Sequence, residues 1–401
     1  MSGPIPGFGV LEGVKVVYSA VEIAAPSAAA VMAEWGADVV WIENTRTGDS
    51  MRDTTFVKEM ERRNQRSISM NPFTEEGREV LFSLVKDADV FIESSKGPTY
   101  ARRGITDEIL WEHNPRLVIV HVSGFGQYGV ETRVNRAAYD LTVQAYSGYM
   151  AQNGTPDQPM AAVPYVGDYF TSLMVTSSAL AALQKARTTG QGESVDVAMY
   201  EVLMRVGAYY MMDFLNAGTV YPRPGARHPN LCGIGEYRTS DGFVGLCVYG
   251  VKQNKYLLER IGLGHLWGTE EYPEDTSALW LDGPQAELIE RHLDAFCLTQ
   301  KALELEEEFS AVGIAANAVL EFDQLVAEDH VAQREAIVEW DTLDGTPVKG
   351  VGIVPKFSRN PGRIWRPMPS LGMDTDAVLT EAGWTPEQIQ ALAENGTIRR
   401  G

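Results

Sequence analysis

The sequence predicts an open α/β fold, and three observations carry that expectation. Apolar, β-branched runs alternate with helix-like segments through the first half of the 401 residues, the pattern of a mostly parallel sheet. A stretch rich in Pro, Gly and Arg, GTVYPRPGARHPN at 218–230, interrupts that rhythm. Beyond it the pattern becomes a hairpin followed by helices, as in a smaller α+β domain.

Taken in order, VKVVYSA (14–20) is a continuous apolar run suited to a strand buried on both faces. PSAAAVMAEWG (26–36) follows as a helix, with Pro26 in its first turn and Gly36 just past its end. DVVWIEN (38–44) closes one βαβ unit. After a basic loop, RSISMN (66–71) is a short strand, and Thr74 is placed to cap TEEGREVLFSLVKDA, which has acidic residues in its first turn. DVFIESS (89–95), TDEILWEHN (106–114) and RLVIVHVSG (116–124) add a strand, a capped helix and another strand. Residues 168–187 read as a long Ala- and Ser-rich helix, and 194–214 as a short strand running into a helix. GEYRTSDGFVGLCVYG (235–250) alternates like a hairpin around Asp241-Gly242, with helical segments near 252–261 and 284–312. A Pro-rich crossing and two short helices end the chain. The expected organisation is a large Rossmann-like domain begun by 1–217, a linker at 218–230, a small domain over 225–325, and a return segment, 326–401, completing the large domain.

Charge narrows the function classes. Against 34 basic residues stand 54 acidic ones, a net charge of −20. Nucleic acid and anionic membrane need a broad basic field and are therefore not expected as partners. The N-terminal MSGPIPGFGVLEGVK lacks the basic and apolar regions of a secretory leader, and no run approaches the roughly 20 apolar residues of a membrane span. The three cysteines, Cys232, Cys247 and Cys297, form no C-x-x-C pair, which fits idle thiols in a reducing cytoplasm. The six histidines show no metal-ligand spacing, so no metal site is expected.

Gly124, Gly126 and Gly129 form a literal G-x-G-x-x-G after a strand. A dinucleotide site also requires a helix opening at the last glycines and an acidic residue about 20 positions on. Here VETRVNRAAYD follows without helical period, and Asp140 comes only 16 residues after Gly124. The N-terminal βαβ unit has an acid at the usual ribose position, Glu43, but no glycine in its first turn, SAVEIAAP. The glycines therefore read as a loop at a strand end rather than a nicotinamide or flavin cradle.

Two basic clusters stand out in so acidic a chain: Lys96, Arg102 and Arg103 in SSKGPTYARRG, and Arg62, Arg63 and Arg66 in ERRNQR. Either could bind phosphate or simply be a solvated loop. Asp168, in PYVGDYFTS, opens the long helix. A carboxylate there is an ordinary cap kept ionised by the helix dipole, and equally a ready nucleophile toward an activated acyl group. The Tyr and Met residues of YYMMDF (209–214) fit a core stripe, although aromatic faces also suit a quaternary ammonium group.

LEGVKVVYSA, AAPSAAAVMAEWGADVVWIEN, ESSKGPTYARRGI, VIVHVSGFGQYG, AAYDLTVQAYSGYM, VGDYF, TTGQGESVDVAMYE and PSLGMDTDAVL together resemble the class III CoA-transferases, in family order across nearly the whole chain. The carnitine branch, which moves CoA between γ-butyrobetaine or crotonobetaine and carnitine, is the most similar; FIESSKGP, ARRGITDE, MMDF and MPSLGMDT carry that closer match. The resemblance implies Asp168 as the nucleophile, attacking an acyl-CoA thioester to give an aspartyl mixed anhydride. Lys96 and Arg103 are implied as contacts to CoA, with Arg102 and Arg66 as further basic candidates. Coenzyme A enters as a thioester substrate, with no permanently bound cofactor, and two ring-shaped chains interlock as a homodimer. The racemase branch of the fold carries a histidine where this chain has Tyr139, and a phenol is a poor base at its usual pKa of about 10. The glycine-rich lid of the oxalate-using branch has no clear copy; GLCVYGV (245–251) stands in its place with two glycines. A CoA-transferase for another acid and a CoA-binding protein without turnover are the remaining alternatives.

Overall fold

The computed structural model describes residues 5–401; the first four residues of the N-terminal stretch considered above lie outside them. The chain divides into two compact units, residues 5–149, 162–208 and 332–401 in one, and residues 150–161 and 209–331 in the other.

The larger unit is built on a sheet of six parallel strands: β1 (Lys15–Ser19), β2 (Asp38–Glu43), β3 (Arg66–Met70), β4 (Val90–Glu93), β5 (Val118–Ser123) and β6 (Ser194–Ala198). Their order is β3-β2-β1-β4-β5-β6, with a two-residue strand at the C-terminal end of the chain, β12 (Ile398–Arg399), antiparallel on the β3 edge. The expected α/β class and parallel sheet are thus present. Alternation along each strand feeds two apolar layers. Val16, Tyr18, Val39, Trp41 and Ile92 face α1 (Ala24–Glu34), α7 (Val166–Thr189) and α8 (Met199–Val206). Val17, Val40, Ile42 and Phe91 face α3 (Glu75–Val85), α5 (Asp107–His113) and the returning helices α12 (Thr375–Glu381) and α13 (Pro386–Glu394). Thr74 caps α3 as expected, its hydroxyl accepting the Gly77 N–H at 3.0 Å. A hairpin of β10 (Ile337–Asp341) and β11 (Pro347–Val351) precedes the tail.

The second unit holds an antiparallel sheet ordered β9-β8-β7, from β7 (Ile234–Arg238), β8 (Phe243–Cys247) and β9 (Ala315–Ala318). The helical stretch expected at 284–312 is two helices, α10 (Ala286–Cys297) and α11 (Ala302–Ala311). The first residue of α11 donates its N–H, that of Ala302, to Asp241 of the hairpin at 2.9 Å. With α9 (Val251–Arg260) they enclose Tyr237, Leu257, Leu293 and Phe309.

Among the described residues no helix is long and apolar enough to cross a membrane. The G-x-G-x-x-G stretch follows β5 but leads only into the four-residue helical turn Glu131–Val134. Its amides are taken within the chain, Gly126 N–H by the Ser123 hydroxyl and Gln127 N–H by Asp196. Gly124 is a packing glycine, because a Cβ there would meet the Ala138 methyl at 2.1 Å. Gly124→Val should therefore lower stability by about 1–3 kcal/mol through overpacking, read as a lower urea midpoint with an unchanged m-value.

Candidate active site

Strand order reverses between β1 and β4, and the crevice beyond their carboxyl ends is where open α/β sheets bind ligands. Two cavities open there, of about 580 and 480 Å³, and both are lined by Val21, Ser94 and Ser95. The larger also contains Asp168, Lys96, Glu22, Arg136 and the rings of Tyr139, Tyr165 and Tyr169.

Asp168 does not cap its helix. Tyr165 is the cap residue of α7, in the left-handed region at φ 45°, and Asp168 lies in the first turn. The free Gly167 N–H is taken instead by the buried Asp140 carboxylate at 2.6 Å, which also accepts the Gln144 amide at 2.7 Å. Gly167 suits this approach, since a Cβ would sit 3.0 Å from the Asp140 oxygen. Asp140 leads α6 (Asp140–Tyr146), so one carboxylate joins the starts of two helices. The expectation that Asp168 is the helix cap is corrected here. Burial, then the nearby charges of Asp140 and Glu22, push its carboxyl up to about 7.

Tyr169 turns its hydroxyl to Glu61 at 3.0 Å, on α2 (Val57–Arg62), and Glu61 also accepts the Ser27 hydroxyl. This ties the first turn of α7 to α1 and α2. Behind the β1 loop, Arg62 and Asp49 form a fully buried ion pair at 2.8 Å. Arg62 lies 4.9 Å from the Trp41 ring centre.

A second buried network lies beneath the segment 94–96. His121, on β5, bridges Glu93 at the end of β4 (2.7 Å) and Asp107 at the start of α5 (2.9 Å). Burial opposes a charge on His121, yet the two carboxylates outweigh it and raise the ring to about 10. Burial raises the Glu93 carboxyl, partly offset by the hydrogen bond and charge of His121. The network anchors Glu93, the last residue of β4, just ahead of the segment that carries Lys96.

The expected site residues do not all meet. Asp168 and Lys96 line one cavity. Arg102 and Arg103 are exposed at the end of the short helix α4 (Thr99–Arg102), Arg102 bonded to Asn135 and Arg103 lying 5.7 Å from the ring centre of Phe73. Phe73 lines the smaller cavity. Arg66 is corrected by the structure: it starts β3, at the sheet end opposite the crevice, and pairs with Asp38 and Glu381, each at 2.7 Å. Arg62 and Arg63 likewise are buried ion-pair residues, not a solvated phosphate loop. Glu22, Arg136 and Tyr165 were missed by sequence reasoning. The only local signal is SAVEIAAP itself, a glycine-free turn after a strand.

The model of CoA-transferase family III matches residues 11–375. Among solved structures, the chain is similar to a CAIB/BAIF family protein from Brucella suis, at 26% identity and a TM-score of 0.78, covering 94% of this chain and 100% of that one. It also shares its fold with Rv3272 from M. tuberculosis, at 22% identity and a TM-score of 0.80, over 93% of this chain and 100% of that one.

Replacing His121 by Leu leaves Glu93 buried without its partner. The expected cost is about 3–5 kcal/mol, measured as a fall in the urea unfolding midpoint at pH 7.

Proposed function

This chain belongs to CoA-transferase family III, and we propose that it moves CoA between γ-butyrobetainyl-CoA or crotonobetainyl-CoA and L-carnitine, with Asp168 as the nucleophile. The observation that carries this reading is the presence of Asp168 and Lys96 in one cavity at the reversal of strand order. The family's activity makes a CoA thioester the substrate. Its phosphates would be met by Lys96 and Arg103, and its length accommodated by two cavities that share Val21, Ser94 and Ser95.

In the proposed sequence an Asp168 oxygen attacks the thioester carbonyl carbon, the C–S bond breaks, and CoA leaves as thiolate. The resulting acyl-aspartyl anhydride is opened by the thiolate at the aspartyl carbonyl, which frees the donor acid and leaves an aspartyl thioester. The acceptor carboxylate attacks that thioester and expels the thiolate again. Thiolate attack on the acceptor's acyl carbon then releases the new acyl-CoA and restores Asp168. Each step exchanges one activated acyl bond for another, so the thioester's energy is conserved if water is kept out.

A homodimer belongs to the same proposal. On α7, Phe170, Leu173 and Met174 share a helical face and remain 36%, 59% and 38% exposed in the single chain, a surface suited to a second copy. The cytoplasm is the proposed compartment, supported by three free thiols, one of them the exposed Cys247.

The test is to mix purified protein with γ-butyrobetainyl-CoA and L-carnitine, alongside other carboxylic acids, and follow the thioesters by mass spectrometry. Carnitinyl-CoA should form, and Asp168→Ala should abolish it; transfer only to other acids would remove the carnitine assignment, and binding of CoA without transfer would remove the catalytic one. Because the attacking form is the carboxylate, kcat/KM should fall as pH drops through about 7. Lys96→Ala should raise KM for the CoA thioester by about tenfold through the lost phosphate contact. Arg66→Ala should lower stability and leave that KM in place.

A further inference from the structure

Glu22 occupies a backbone position that disfavours it. It follows β1 at φ 65°, in the left-handed region where glycine is the natural residue. The surroundings impose that conformation: its N–H is held by Asp49 at 3.2 Å and its carbonyl by Arg62 at 2.6 Å. Asp49 and Arg62 are themselves the fully buried ion pair. The side chain is directed too, since its carboxylate accepts the Ser50 hydroxyl. A strained position occupied by a charged residue, and clamped from below, points to a use for the charge.

The cavity shows what that use is. Its cations, Lys96 and Arg136, suit phosphates, whereas Glu22 and Asp168 are carboxylates acting on each other in the same space. Three tyrosines complete the lining. Tyr139 and Tyr165 are 66% and 54% exposed, and Tyr169 is fixed by its bond to Glu61. Aromatic faces together with a carboxylate are the recognition chemistry of a quaternary ammonium, which offers no hydrogen for a hydrogen bond. An acyl group carrying a second carboxylate would instead meet like charge.

We propose that Glu22, with the rings of Tyr139, Tyr165 and Tyr169, forms the subsite for a permanently cationic acyl group, and so selects betaine-type thioesters over neutral ones of equal shape. The inference rests on the function proposed above and assigns its substrate specificity to named residues.

The test compares γ-butyrobetainyl-CoA with 5,5-dimethylhexanoyl-CoA, in which a quaternary carbon replaces the nitrogen, using one common acceptor. The parent protein should prefer the cationic donor in kcat/KM. Glu22→Gln should reduce that preference by about tenfold or more. Glu22→Gly should do the same while melting no lower than the parent, since glycine suits φ 65°; this separates lost recognition from lost folding. An unchanged preference in both variants would overturn the inference and leave the CoA-transferase reading standing. Transfer from neither thioester to any acid would overturn the proposed function and this inference together.

Discussion

The reversal of strand order between β1 and β4 is the constraint on which the site depends. Parallel strands joined by right-handed crossovers send the chain from β1 toward β2 and from β4 toward β5 in opposite directions. The two connections must part at their carboxyl ends, and neither can fill the gap. Residues 20–24 and 94–96 therefore border an opening that side chains from elsewhere must furnish. Asp168 arrives from α7, packed on the sheet face formed by Tyr18 and Trp41. Tyr139 and Asp140 arrive from the start of α6.

Two buried ionic networks hold these borders at their proper height. Glu93, His121 and Asp107 support the β4 side; Arg62 and Asp49 support the β1 side. Buried charge is costly unless it is paired and hydrogen-bonded, so its presence on both sides of one crevice calls for an explanation beyond stability. The Arg62–Asp49 pair acts on backbone, holding the two polar groups of Glu22, and the Glu93–His121–Asp107 bridge fixes the end of β4. They set loop conformation where apolar packing, open to the cavity, could not.

Much of the fold was legible in the sequence, because local signals and tertiary structure agree there. The strand in 14–20, the stop before Gly36 and the Thr74 cap emerge as read, and the helix read from Pro26 starts two residues earlier, at Ala24. Legibility fails where meaning comes from distant partners. Arg66 looks like a phosphate ligand in ERRNQR, yet its partner Glu381 lies 315 residues away. Arg62 and Arg63 look solvated, yet Asp49 and Glu34 bury them. β9 reads AANA and shows no apolar alternation; only pairing with β8 makes it a strand. At Asp168 the local rule even has the wrong sign, because Asp140, remote in sequence, takes the helix's free N–H and adds a like charge.

That inversion bears on how the proposed nucleophile is controlled. A carboxylate stabilised by a free helix start would be ionised in every state of the protein, and correspondingly reluctant to share its electrons with an acyl carbon. Here Asp140 takes the Gly167 N–H, and Asp168 shares a partly desolvated cavity with Glu22. Its charged form is costly where burial adds to the charges of Asp140 and Glu22. A cationic acyl group beside Glu22 would cancel the repulsion that disfavours that form. In the proposed reading, the substrate that fits the subsite also completes the charge balance the nucleophile needs. Recognition and activation then become one electrostatic event, and an acyl group lacking the cation would be both poorly held and poorly attacked.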